Sequence, residues 1–147
     1  MLIRSDRNWS FPAPPDAVWD QMSAVDHYRS WWPWLRTFDA DALDTAHIWT
    51  CAVQPPLPYS LRFAVTLDEV IPHHLVTATI AGDITGEARL ELGATDDGCD
   101  VRLVSQLAPG NRFLRTIATV ARPMVRFGHD WVLDTGADQF ASRLPGS

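Results

Sequence analysis

Five consecutive segments of this chain alternate apolar and polar residues with a period of two, and that run limits the fold more than any other feature. Ile48 to Gln54 sets Trp49, Cys51 and Val53 against Thr50 and Gln54, and Pro55-Pro-Leu-Pro58 ends it. Leu61 to Ile71 sets Leu61, Phe63, Val65 and Leu67 against Arg62, Thr66 and Asp68. Leu75 to Ala81 carries Val76, Ala78 and Ile80 before Gly82-Asp83 turns the chain. Ile84 to Leu92 sets Ile84, Ala88, Leu90 and Leu92 against Thr85, Glu87, Arg89 and Glu91, and Asp96-Asp97-Gly98 predicts a hairpin turn. Cys99 to Leu107 closes the run, with Val101, Leu103 and Leu107 opposed to Arg102 and Gln106. One dry and one wet face in segment after segment, joined by short turns, call for an antiparallel sheet.

The dry face needs a cover, and Asn111 to Leu144 supplies it. Phe113, Ile117, Val120, Met124, Phe127 and Trp131 recur at steps of three and four, the helical period, within a face about 80° wide. Leu114, Ala121, Val125, Gly128 and Val132 broaden its flank. Arg112, Arg115, Arg122 and Arg126 hold the opposite side. Pro123 would cost about 3 kcal/mol inside an ideal helix. The prediction is therefore a short helix from Arg112 to Ala121 and a longer one from Pro123 onward, a hinged lid whose inner face runs from Met124 to Trp131.

Ahead of the strand run, Leu2 to Phe11 alternates with Ile3, Trp9 and Phe11 on one face and is ended by Pro12-Ala-Pro-Pro. Pro15 suits the first turn of a helix, Asp16 favours its positive end, and Ala17, Val18, Trp19 and Met22 form its buried side up to Ala24. A second short helix is predicted from Asp26, as cap, to Pro33. Trp31-Trp32-Pro33-Trp34 follows at once, and three indoles in four residues are not expected to pack inward together on so small an element. Each is read either as a core plug or as part of an aromatic gate over an apolar pocket. The expected fold is α+β: a curved antiparallel sheet of six or seven strands wrapped round a long C-terminal helix, with two short helices after the first strand.

With 147 residues, 46% of them hydrophobic, the chain fits one domain over 1–147 with a real core. A net charge of -6 argues against general nucleic-acid binding. Yet no carboxylate lies between Asp100 and Asp130, where five arginines do, counting Arg102. Those on the helix form either a solvated face or a surface for an anion or acidic partner. Cys51 and Cys99 lack metal-ligand spacing and the density of a disulfide scaffold, so they are expected as core thiols of a reduced, cytoplasmic protein. Neither a leader-like apolar stretch nor a membrane span is legible. A homodimer is compatible with the sequence but not indicated by it.

Ala13-Pro-Pro-Asp-Ala-Val-Trp19, Trp32-Pro-Trp34, Leu57-Pro-Tyr-Ser-Leu-Arg-Phe63, Gly82-Asp-Ile-Thr-Gly86, Ala121-Arg-Pro123 and Gly128-His-Asp-Trp131 span nearly the whole chain. In this order the sequence resembles the helix-grip (START-like, SRPBCC) superfamily, which includes the birch-pollen-allergen-like proteins, and within it the polyketide cyclase/dehydrase-like subgroup. The resemblance implies an internal cavity between the curved sheet and the last helix that holds apolar small molecules. It implies no particular reaction, since the superfamily mixes carriers, sensors, cyclases and hydroxylase subunits.

Acid or base catalysis in such a cavity needs ionisable groups within hydrogen-bond reach of the substrate. The alternation turns Arg62, Glu87, Arg89, Glu91 and Arg102 outward unless a bulge inverts a strand. His73-His74 lies in a turn, His47 stands alone, His27 sits on the helical corner, and His129-Asp130, as helix neighbours about 100° apart, are expected to diverge as anchors on the helix flank. No metal set and no cofactor is indicated: the His, Cys, Asp and Glu residues show no zinc spacing, and Gly82 to Gly86 lacks the lysine of a phosphate loop. Trp31, Trp34, Trp49, Tyr59, Phe63, Met124, Phe127 and Trp131 are the residues expected to line a ligand space, with Tyr59, Ser105 and Thr135 as polar tips and with Gly86 and Gly128 withholding volume.

Three functions fit. The first is a carrier or sensor of an apolar or polyketide-like ligand. The second is a cyclase or dehydratase that works mainly by folding its substrate, with His27, Tyr59 and Asp83 as candidate proton handlers. The third is an interaction module that uses the arginine face against an acidic protein or an anionic lipid surface.

Overall fold

The computed structural model describes residues 2–144. Strand β1 (Ile3–Phe11) leads into helix α1 (Pro15–Ser23), a 3-10 turn (Val25–His27) and the single-turn helix α2 (Tyr28–Trp31). Strands β2 (Leu35–Asp39), β3 (Ile48–Val53), β4 (Leu61–Ile71), β5 (Leu75–Gly82), β6 (Ile84–Ala94) and β7 (Cys99–Pro109) follow, then helices α3 (Arg112–Val120) and α4 (Arg122–Ala141). The expected unit over 1–147 extends beyond the described residues at Met1 and at 145–147.

All seven strands form one antiparallel sheet in the order β1-β7-β6-β5-β4-β3-β2. Only β1 is out of sequence, paired with β7 from Ile3 opposite Leu107 to Phe11 opposite Cys99. The curved sheet and the C-terminal helix agree with the α+β helix-grip expectation. Strand β2 is an addition to the strands expected from the sequence, whose run after the helical corner starts at Ile48; it is short, and a register irregularity between Leu35 and Thr37 blurs its alternation. A second irregularity falls in β4 between Leu67 and Glu69, past the cavity-lining Val65 and Leu67 and just before Val70, which packs against the core.

The C-terminal segment is split where proline required it, although the break falls at Ala121 (φ -131°, ψ 51°) and Pro123 occupies the second position of α4. Asn111 caps α3 by accepting the Leu114 N–H at 2.7 Å. The phase of the buried face differs from expectation. Leu114, Ala118, Val125, Gly128, Gly136 and Phe140 are buried, whereas Phe113, Val120 and Phe127 are exposed. The predicted flank is thus the seam, and half of the predicted stripe faces water. The physical reason is a neighbour of awkward shape: an ideal Cβ on Gly128 would lie 2.7 Å from the Tyr59 hydroxyl and 2.9 Å from Leu57 Cδ1. The loop before β4 therefore presses on α4 at its glycine, and the helix turns that edge inward.

Two other local expectations change. Asp26 lies inside the 3-10 turn, and no side chain caps either it or α2. Trp31, Trp32 and Trp34 all pack inward, Trp31 buried and the others half-buried, because the end of α2 and Pro33 direct the second and third indoles onto α4. Cys51 and Cys99 are buried free thiols.

Candidate functional site

Between the concave face of the sheet and α4 lies a cavity of about 330 Å³, within the size range of small-molecule sites. Its walls come from every strand except β2. Trp9 and Phe11 of β1, Trp49 of β3, Val65 and Leu67 of β4, and Val76 and Ala78 of β5 form one side. Ala88 and Leu90 of β6 and Val101 and Leu103 of β7 continue the sheet. Val18, Met22, Tyr28, Trp32 and Trp34 close it from the helical corner, Leu43 from the β2–β3 connection, and α4 contributes Val132, Leu133, Gly136, Ala137 and Phe140. These are the inward members of the alternating rows, so the period-two pattern itself produces an apolar wall. Among the described residues no charged, histidine, serine or threonine side chain borders the space.

The aromatic corner is held by hydrogen bonds directed away from the cavity's interior chemistry. Tyr28 sits among Trp31, Trp32, Phe38 and Trp49, with ring centroids 5.5, 4.8, 5.2 and 5.8 Å away. Its hydroxyl donates to the Met22 carbonyl, and burial pushes its ionisation well above the ordinary phenol range. Trp32 and Trp34 stack at 5.4 Å. The Trp32 Nε1–H donates to the Gly136 carbonyl at 3.0 Å and the Trp34 Nε1–H to Gln139 Oε1 at 2.9 Å. These two bonds latch the corner onto α4. Trp49 donates to the Ala42 carbonyl at 2.9 Å. Four of the polar aromatic tips on the lining are thereby spent, and among the described residues the Trp9 indole N–H is the side-chain donor there without a protein partner.

Of the residues expected to line a ligand space, Trp34 and Trp49 border the cavity and six do not. Trp31 is buried one layer out, edge-on to Phe140 at 5.9 Å. Phe63 packs against the core without reaching the cavity. Tyr59 is buried against Gly128, and burial raises its phenol. Met124 and Trp131 are half-buried and Phe127 is exposed, all on the part of α4 ahead of the cavity. The cavity touches α4 from Val132 to Phe140, about two turns after Met124 and more than one after Phe127, while Trp131 adjoins Val132 but leaves the helix about 100° away from it. Ser105 and Thr135 do not reach it either. Gly86 withholds no cavity volume: at φ +153°, its Cβ would strike the Gln106 carbonyl oxygen at 1.8 Å, so it serves the close approach of β6 to β7. Gly136 is the glycine on the cavity wall. Its signal in the sequence was its spacing of eight from Gly128, which keeps it on the same helix face.

The groups considered for proton transfer lie off the lining. His27 is exposed beside Asp26. Asp83 accepts the Arg62 backbone N–H at 2.8 Å and the Asn111 side-chain amide at 2.9 Å, fastening the β5–β6 turn to β4 and to the start of α3. His129 and Asp130, expected to diverge, meet at 3.0 Å through Nδ1 and Oδ1. Nδ1 lies close to the backbone and can reach sideways, which the angle between Cβ directions does not capture. Asp130 also receives Arg7 at 3.0 Å; burial works against its charge, but the bonds from His129 and Arg7 win and hold its carboxyl below the usual value. Among the described residues no group of three or more His, Cys, Asp and Glu could hold a metal ion, and no helix is long and apolar enough to cross a membrane.

The family described as polyketide cyclase / dehydrase and lipid transport matches residues 4–144. No curated protein matches the sequence. Among solved structures, an aromatase/cyclase from a Streptomyces species superposes with a TM-score of 0.78 at 10% identity, covering 97% of this chain and 93% of the other. A conserved protein from Geobacillus kaustophilus gives 0.77 at 9% identity, over 95% and 93% of the two chains. Ara h 8.0201 gives 0.72 at 8% identity, over 97% of each. At these identities the likeness is one of fold.

Proposed function

The chain belongs to the polyketide cyclase / dehydrase and lipid transport family, and from that premise we propose that it carries or senses an apolar small molecule in the cavity beneath α4. The observation that supports this reading is the composition of the wall: aliphatic and aromatic side chains throughout, with the polar tips of Tyr28, Trp32, Trp34 and Trp49 already committed to protein acceptors. Apolar ligands gain from such a wall by leaving water, while a ligand with several polar groups would lose its hydration without replacement. Polyketide-like aromatics and lipid chains both satisfy the requirement.

A cyclase or dehydratase reading draws on the family description and on the fold shared with an aromatase/cyclase. The placement of His27, Tyr59 and Asp83 off the lining weighs against it, since a general acid or base must come within hydrogen-bond reach of the substrate. The test is a titration of tryptophan fluorescence with naphthalene-class aromatics and long-chain ketones. Trp9, Trp32, Trp34 and Trp49 border the space, so a saturable change is expected. A flat response to every such compound would overturn the proposal; turnover of a polyketide-like chain, abolished by replacing one of the three candidate proton handlers, would favour the enzyme.

A further inference from the structure

Arg112, Arg115, Arg122 and Arg126 are exposed on α3 and the first turns of α4. None of their guanidinium groups joins an ion pair among the described residues. Beside them three large apolar side chains stand in water: Phe113 is 66% exposed, Val120 81% and Phe127 53%. A folded chain gains nothing by exposing two phenylalanines and a valine among unpaired arginines, unless that surface meets something both anionic and apolar.

Helix geometry makes this a continuous surface. At about 100° per residue, Arg115, Arg112, Val120 and Phe113 follow one another round an arc of about 160° on α3. Arg122, Arg126 and Phe127 fall within about 140° on α4. The break at Ala121 does not scatter them, because Ala118 of α3 and Val125 of α4 are buried in one small cluster with Ile3 of β1. Both helices therefore press the same spot of the sheet and turn their exposed arcs away from it. The nearest acids along α4, Asp130 and Asp134, are both engaged by Arg7, at 3.0 and 3.3 Å. In a chain of net charge -6, the α3–α4 corner is locally cationic.

We propose that the α3–α4 corner is a docking surface for an anionic lipid bilayer, with Phe113, Val120 and Phe127 entering the headgroup region and the four arginines facing the lipid phosphates. Arginines flanking exposed aromatic and aliphatic side chains on short helices are the chemistry of interfacial binding. An acidic protein would satisfy the arginines but gives no reason for the phenylalanines. The docking surface is separate from the cavity, which meets α4 only from Val132 onward, so the proposal stands or falls independently of which ligand the cavity holds.

The test is co-sedimentation of the full chain with phosphatidylglycerol-rich vesicles and with pure phosphatidylcholine vesicles. Binding to the anionic vesicles alone, weakened by salt, is expected. Each arginine near such a surface is worth about fivefold in partitioning, so Arg115→Glu with Arg122→Glu should weaken binding by more than about twentyfold. Phe113→Ser with Phe127→Ser should also abolish sedimentation. Both pairs are exposed, so thermal melting should be unchanged and loss of binding cannot be loss of fold. Absence of sedimentation, equal binding to neutral vesicles, or retention by either double variant would overturn the proposal. So would tight binding to polyglutamate that the phenylalanine variant keeps, which assigns the surface to an acidic protein, or self-association that this variant loses, which assigns it to a second copy.

Discussion

The ring of Trp34 lies over Gly136 so closely that a Cβ there would sit 3.1 Å from Trp34 Cζ2, and the carbonyl of the same glycine takes the indole N–H of Trp32 at 3.0 Å. One residue of α4 thus provides both the space and the acceptor for the stacked pair. It also borders the cavity.

Replacing this glycine should therefore separate helix propensity from cavity shape. Gly to Ala in a helix interior normally gains up to about 1 kcal/mol. Gly136→Ala should show much less, because Trp34 has to move and its Nε1–H is tied to Gln139. Gly136→Leu should cost about 1–3 kcal/mol through overpacking. It should also weaken the binding of apolar aromatics by at least about tenfold. Chemical denaturation and fluorescence titration measure the two effects; unchanged ligand affinity in the leucine variant would remove Gly136 from the binding space.

Gly128 poses the same question away from the cavity. Its Cβ would approach the Tyr59 hydroxyl to 2.7 Å. Gly128→Ala should destabilise the protein despite the helical gain, by roughly 1–2 kcal/mol. Tyr59→Phe removes the nearer of the two atoms in the way and leaves Leu57 Cδ1 at 2.9 Å, so the double variant should recover part of the loss. A double-mutant cycle on denaturation midpoints reads the coupling; additive effects would show that the contact does not limit the approach of the loop to α4.

Asp83 offers a structural test against the catalytic alternative. Its carboxylate accepts one backbone and one side-chain N–H, bonds of the charge-assisted class. Asp83→Ala is expected to cost about 2 kcal/mol. The cavity should still bind the same aromatics with unchanged affinity. If stability is kept while a cyclisation activity disappears, Asp83 acts on substrate rather than on the fold.

Alkaline pH should loosen the interior. Burial pushes the Cys51 thiol from an ordinary 9.0 up to about 12, and that of Tyr28 upward as well. On unfolding, both groups regain ordinary acidity, so above pH 9 the unfolded chain has released protons that the folded chain still holds. Stability is full below that pH and falls as pH rises toward 12. Denaturation midpoints measured across this range should decline, and Cys51→Val should flatten part of the decline. A midpoint independent of pH would contradict the buried, neutral state of these groups.

Much of the fold was legible because its signals are local. Period-two alternation from Ile48 to Leu107 marks strands whose inward residues became the cavity wall. Pro123 marks the split of the last helix. The lining was legible only in part: Trp34 and Trp49 border the space, whereas Met124 and Phe127 lie too early on α4 and Trp131, next to Val132, leaves the helix in another direction. Counting apolar side chains favoured those three, but contact with the interior is made at Val132, Gly136 and Phe140, and a glycine contributes nothing to an apolar count. The meeting of His129 with Asp130 was missed because Cβ directions do not fix where a ring nitrogen reaches.

What the sequence determined by itself was the list of elements, their order and the dry face of each strand, since these follow from dihedral preferences and from the period at which apolar residues recur. Tertiary structure alone decided which arc of α3 and α4 faces the sheet, where along α4 the cavity opens, and that three indoles of one short corner could all turn inward. Those outcomes depend on the shapes that meet across more than a hundred residues of chain, Trp32 with Gly136 and Trp34 with Gln139. Packing is a property of pairs of surfaces, and no pattern within one segment records the partner it will press against.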